Sequence, residues 1–235
     1  MISQPSKTNQ QGSPLLPSKA WKHPFSAAIG YLPLGFLTAL FLLGINMGCG
    51  KVLSIHYYDF RYPSPAPLFS PPKITATLGV APFTAPFSYR QSRLLYREGP
   101  NETKVGFYED RRWAGSPTEL ITLAAVNHLR LSGLFDKVIL RQGDTSTDYL
   151  LQGKIVELDE VDRTDGYYTQ VGLEVELYES GKNRKLIWAG TIKSQRKTTV
   201  RDMDAIAGEM ALTVGDAIQS LAAKLGTVLN PSATK

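Results

Sequence analysis

Cys49 is the residue best placed to carry chemistry, and it is the only cysteine in the 235-residue chain. It lies at the end of an uncharged run, residues 24–50, that follows Lys7, Lys19 and Lys22, and no acidic residue precedes Asp59. Positive charge, then an apolar stretch, then small residues around a cysteine is the layout of an export signal closing on a lipid-attachment site. One thiol permits no internal disulfide, even in an oxidising compartment, and acylation would give it a use.

The remaining chemistry-bearing residues are less specific. His23, His56 and His128 have no cysteine or carboxylate at ligand spacing, so no metal site is expected. The chain has no nucleophile elbow and no glycine-rich phosphate loop, so neither a catalytic set nor a cofactor is expected. The acidic run Glu157, Asp159, Glu160, Asp162, Asp165 lacks the ligand alternation of a calcium loop and reads as a solvated strand end and hairpin tip.

The densest cluster is Tyr89, Arg90, Arg93, Tyr96, Arg97, Tyr108, Arg111, Arg112 and Trp113. Arginine with aromatic residues supplies hot-spot chemistry for a protein partner and bidentate contacts for an anionic headgroup. In the plainer alternative, Trp113 and the tyrosines cap the edge of the core while arginine stems lie over them. Tyr96, Arg97, Tyr108, Arg111, Arg112 and Trp113 are the candidate partner-binding residues.

Charge narrows the partners. Three of the 26 basic residues and none of the 21 acidic ones fall in the first 48, which leaves 23 against 21 in the rest. The basicity is therefore mostly a topology signal, and nucleic acid is not an expected partner.

The elements that must position these residues follow from pattern. Residues 51–60 read as a strand, and five prolines in 61–72 make a stiff extended connection. Strands are expected at 74–83, 93–97, 105–108, 136–140, 149–161 and 186–196. Ser116-Pro117-Thr118-Glu119 offers a helix start, and Gly133 a left-handed end, for a helix over 117–132. Asp165-Gly166 is a hairpin turn. Val171, Leu173, Val175 and Leu177 alternate with polar residues as a half-buried antiparallel strand would. Met203, Ile206, Met210, Val214, Ala217, Leu221, Leu225 and Val228 recur at helical spacing over 202–229. The fold class is α+β: a mostly antiparallel sheet with two main helices packed on one face. Residues 1–48 form a signal peptide or anchor, 49–73 the start of the mature chain with its first strand and proline-rich connection, and 74–230 the domain to which that strand belongs.

The anchor has two readings. The core at 34–45 has signal length, while 25–45 is long enough to span a membrane. The sequence Ile45-Asn46-Met47-Gly48-Cys49 is similar to a lipobox at Gly48 and departs from it at Asn46 and Met47. An uncleaved inner-membrane signal anchor is therefore the alternative. Both readings hold the residues after 50 at a membrane, outside the cytoplasm. Gly50 stands where an aspartate would favour inner-membrane retention.

The strings SYRQSRLLYRE, VGFYEDRRWAGSPTELIT, LRLSGLFDKV and DYLLQGKIVELDE together resemble the ABC-type transport auxiliary lipoprotein family, over about residues 57–225. The resemblance implies an α+β domain in the periplasm, lipid-anchored to the outer membrane through Cys49. It implies an MCE-domain protein and an ABC permease and ATPase as partners, in a system that moves phospholipid between membranes. It brings no catalytic residues, and it leaves a homo-oligomer open. The runner-up reading is a stand-alone envelope protein that binds a lipid or other small ligand.

Overall fold

The computed structural model describes residues 53–63, 67–68, 73–198 and 200–229. His23, the uncharged run and Cys49 lie outside the described residues. In chain order the first half holds β1 (His56–Tyr58), β2 (Ile74–Val80), a short helix α1 (Phe87–Arg90), β3 (Arg93–Glu98) and β4 (Lys104–Trp113). Then follow α2 (Pro117–Leu131), β5 (Phe135–Leu140), β6 (Tyr149–Arg163), β7 (Gly166–Glu179), β8 (Lys185–Thr198) and α3 (Met203–Leu229).

Strand β6 is the axis of an eight-stranded sheet. One edge takes β7 in antiparallel register along its length, and β7 takes β8 in the same way. The other edge is shared. Tyr149, Leu150 and Leu151 pair with β2, while Glu160 and Val161 pair with β3. A single bridge from Thr84 to Lys154 spans the interval. One arm then continues from β2 to β5, and the other from β3 through β4 to β1. Most paired residues are antiparallel, as the α+β class requires. The joins of β2 to β5 and β6, of β3 to β6 and of β1 to β4 are short and parallel.

Side chains alternate along each strand. β7 therefore sends Val171, Leu173, Val175 and Leu177 inward and leaves Glu174 and Glu176 in solvent. α3 covers that inner face with Ile206, Met210, Val214, Ile218, Leu221 and Leu225, all buried at helical spacing. Each fully buried leucine contributes about 2 kcal/mol of transfer free energy. α2 adds Ile121, Ala125 and Leu129 to the same core. The helices meet at His128, whose Nε2 lies 2.6 Å from Gln219 Oε1.

Local differences from the sequence reading have local causes. Ser116 does sit at the N-cap of α2, but its hydroxyl pairs with the Thr118 hydroxyl at 2.7 Å and does not cap the helix. Pro117, at the first helical position, has no N–H that needs a partner. Gly133 ends the helix region at φ 69°, in the left-handed conformation its position predicts. β1 spans only three residues. β4 offers it only Arg111, Arg112 and Trp113, and the Asp59 carboxylate accepts from the Phe60 N–H at 2.8 Å as the chain turns away. β4 runs well past the expected 105–108, and α1 carries no periodic signal long enough to have been read.

Candidate functional site: the arginine-rich arm

β3 and β4 place Arg93 opposite Arg112 and Tyr96 opposite Gly106. β1 adds His56 opposite Arg111 and Tyr57 opposite Arg112. Gly106 is required by close approach, because the Tyr96 ring lies over it and a Cβ there would sit 2.4 Å from ring atoms. The ring is thereby held against Tyr108, with centroids 5.0 Å apart. The register between β3 and β4 slips between Arg93 and Leu95, and β4 carries several extra residues opposite that step. Such a bulge re-aims side chains next to it.

Beneath this arm β6 buries two adjacent carboxylates. Asp159 stands opposite Gln170 and Glu160 opposite Thr169, so they point to opposite faces of the sheet. Asp159 is 1% exposed. Its Oδ2 accepts from Arg97 Nε at 2.9 Å and from the Tyr89 hydroxyl at 3.0 Å. Arg97 Nη2 also donates to the Tyr89 oxygen at 3.0 Å, which closes a triangle. Burial pushes the Asp159 carboxyl up and the Arg97 guanidinium pulls it back, with burial prevailing. The Tyr89 hydroxyl is pushed up to about 12, by burial first and by the Asp159 charge second. Oδ1 of Asp159 has no hydrogen-bond partner among the described residues.

On the helix face Glu160 Oε2 accepts from the Tyr108 hydroxyl at 2.7 Å. Burial raises Glu160, and the Tyr108 hydrogen bond and the Arg201 charge oppose that rise. Nearby the Tyr58 hydroxyl donates to Asp204 Oδ1 at 2.8 Å in the first turn of α3, tying β1 to that helix.

The six candidate residues thus have different situations. Trp113 is buried against Phe60, with ring centroids 4.5 Å apart, and is part of the core. Arg97 and Tyr108 spend their polar atoms on the buried carboxylates. Tyr96 is half-buried against Tyr108. Arg111 Nη1 lies 3.2 Å from Asp110 Oδ2 without hydrogen-bond geometry. Among the described residues Arg112 reaches only the Glu109 carbonyl, at 3.5 Å. Arg93 lies over the Phe107 ring at 5.9 Å, and its Nε lacks an acceptor among the described residues. The least satisfied donors of the arm are therefore on Arg93, Arg111 and Arg112.

The acidic run needs correction. Glu157, Asp162 and Asp165 do lie at the surface, paired with Lys193, Arg201 and Lys197. Asp159 and Glu160 are buried, within a run Leu158-Asp159-Glu160-Val161 that has no exposed member. The sequence carried no signal of this, since a strand covered on both faces ordinarily reads as an apolar run and this one holds two adjacent carboxylates.

His56 is exposed on β1. His128 is buried, with Nδ1 3.4 Å from the Tyr62 hydroxyl, and burial lowers its pKa while the Gln219 hydrogen bond opposes the drop. Among the described residues no group of three or more histidine, cysteine or acidic side chains is placed to hold a metal ion. Two broad clefts are open and lined largely by polar residues. One of about 680 Å³ is lined by Arg141, Asp144, Thr147 and Asp148 among others, and one of about 760 Å³ by Glu98, Glu102, Asp162 and Arg163 among others. Neither has the apolar enclosure that suits a small lipophilic ligand. Among the described residues no helix is long and apolar enough to cross a membrane.

Comparison with known proteins follows the same outline. Among solved structures, a protein from Xanthomonas campestris superposes with a TM-score of 0.63 at 16% identity, covering 77% of this chain and 100% of that one. An uncharacterized protein superposes with a TM-score of 0.55 at 15% identity, covering 73% of this chain and 99% of that one. These likenesses speak for the fold. No curated protein matches. The family model described as ABC-type transport auxiliary lipoprotein component matches residues 58–225, nearly the whole of the described domain. The chain belongs to that family of transport auxiliary lipoproteins.

Proposed function

We propose that the protein is a non-enzymatic accessory lipoprotein of an ABC/MCE-type phospholipid transport system. Lipid on Cys49 holds it to the outer membrane, facing the periplasm, and its domain docks the MCE component. The match to the auxiliary lipoprotein family over residues 58–225 carries this reading. The arm supports it. Arg97, Tyr89 and Tyr108 serve the interior, whereas Arg112 is partly exposed and makes only a long bond to the Glu109 carbonyl among the described residues, which leaves donors that a partner's carboxylate could take in charge-assisted bonds.

The test is mild crosslinking in cells followed by recovery of this protein. The MCE protein and permease of the same system should co-purify. Arg112→Glu should cut that recovery about tenfold, as loss of one interface hot spot does, while the membrane-bound amount stays level. Recovery of neither partner would overturn the proposal.

A further inference from the structure

Leu53, Ile55 and Tyr57, every second residue of the segment that enters the domain, are 57%, 44% and 63% exposed. Among the described residues β1 pairs only with β4, and no strand takes its other edge. The neighbouring Tyr58 turns the other way, to Asp204 on α3. Arg61, four residues after Tyr57, is 91% exposed in its side chain, with its Nε 3.5 Å from the Asp59 carboxylate. Apolar side chains with a tyrosine, and an exposed arginine at the end, are the composition of a surface that rests in the headgroup zone of a bilayer.

Chain length selects the occupant. Cys49 is four residues before Leu53. An extended chain reaches at most about 3.6 Å per residue, or about 14 Å in all. With an acyl anchor at Cys49, Leu53 cannot stand far from the leaflet, and a spanning anchor ending near residue 50 gives the same limit.

We propose that Leu53, Ile55 and Tyr57 form a membrane-contact stripe, with Arg61 at its end, that seats the domain on the bilayer and fixes which of its faces points away. This rests on the membrane-anchored reading above. The stripe sets orientation, and the anchor supplies attachment.

The test uses the full chain extracted from membranes and reconstituted into phosphatidylethanolamine/phosphatidylglycerol vesicles. Ile55→Cys and, as a control far along the sheet on β8, Lys185→Cys are each labelled with an environment-sensitive fluorophore, and shallow spin-labelled lipid is the quencher. The vesicles are also floated on a gradient. Both proteins should float, and the label at 55 should lose about half its emission while the label at 185 keeps nearly all of it. Flotation with equal, weak quenching at both sites would overturn the stripe and leave the anchor standing. That is the result expected if a second copy, or the uncharged run of residues 24–50, covered the stripe. Failure to float would overturn the anchored reading, and the stripe with it.

Discussion

Glu157 and Asp159 are two residues apart on one strand and have opposite surroundings. Glu157 belongs to the outer face of β6, β7 and β8, where charges pair across strands in solvent: Glu157 with Lys193, Glu174 with Lys154 at 3.1 Å, Asp165 with Lys197 at 2.8 Å. Asp159 belongs to the arginine-rich arm, sealed between Tyr89 and Arg97. Titration makes the contrast plain. Asp165 is lowered to about 2 by hydrogen bonds from Lys197 and Tyr168, whereas Asp159 is raised by burial. The ladder is a regular scaffold whose ion pairs are individually dispensable. The arm invests in buried polar groups that must be held, and a surface built on such fixed groups is a better platform for a partner than a flexible one.

The largest expected effect is in the arm. Arg97→Ala strands a buried carboxylate, and the cost should be about 3 kcal/mol in urea unfolding. The lower end of the range applies because Arg97 is itself 29% exposed. A loss near that of a surface pair would place Arg97 with the ladder. Gly106→Ala comes next. Its Cβ would displace the Tyr96 ring, for about 1–3 kcal/mol of overpacking strain.

Titration offers a third way to separate the regions. The folded-state pKa values of Asp159 and Glu160 are raised above 3.8 and 4.5, so the native state takes up protons before the unfolded chain does. Their contribution is complete below those ordinary values and is lost as pH climbs through the raised ones. Asp165 behaves oppositely: its contribution is present above 3.8 and is lost as pH falls toward about 2. His128, lowered from 6.5 by burial, takes stability away as pH drops through the ordinary histidine range. Combining Asp159→Asn with Glu160→Gln should therefore remove the acid-side gain and leave the His128 decline, as read from urea midpoints between about pH 7 and 4. Asp165→Asn should lower the midpoints slightly above about pH 4 and leave the two proteins alike near pH 2, so that its difference from the parent shrinks as pH falls. An unchanged profile in the double variant would break the contrast between arm and ladder.

The smallest effect belongs to the ladder. Lys154→Ala removes one member of a pair about half exposed on both sides and should cost no more than about 0.5 kcal/mol. Salt should shrink even that difference.

The ladder was legible in the sequence because its pattern is local. Val171 to Leu177 alternate in period two, Asp165-Gly166 marks the turn, and the apolar spacing of α3 runs for seven turns. The parallel joins were not legible. They depend on which distant strands share the second edge of β6, and nothing within β2 or β3 states that. Cys49, Arg111 and Arg112 could be picked out by residue type. Trp113 could not be sorted from a surface tryptophan, since its burial depends on Phe60 arriving from beyond β1. Asp159 and Glu160 looked like a solvated hairpin approach because the residues that cover them, Tyr89, Arg97 and Tyr108, lie 52 to 70 positions earlier.

The central claim is that this domain is held at a membrane by lipid on Cys49, and the intact mass of membrane-extracted protein tests it most directly. A chain that begins at Cys49 and carries acyl groups is the expected result. A full-length, unacylated chain would contradict it and leave a signal anchor in its place.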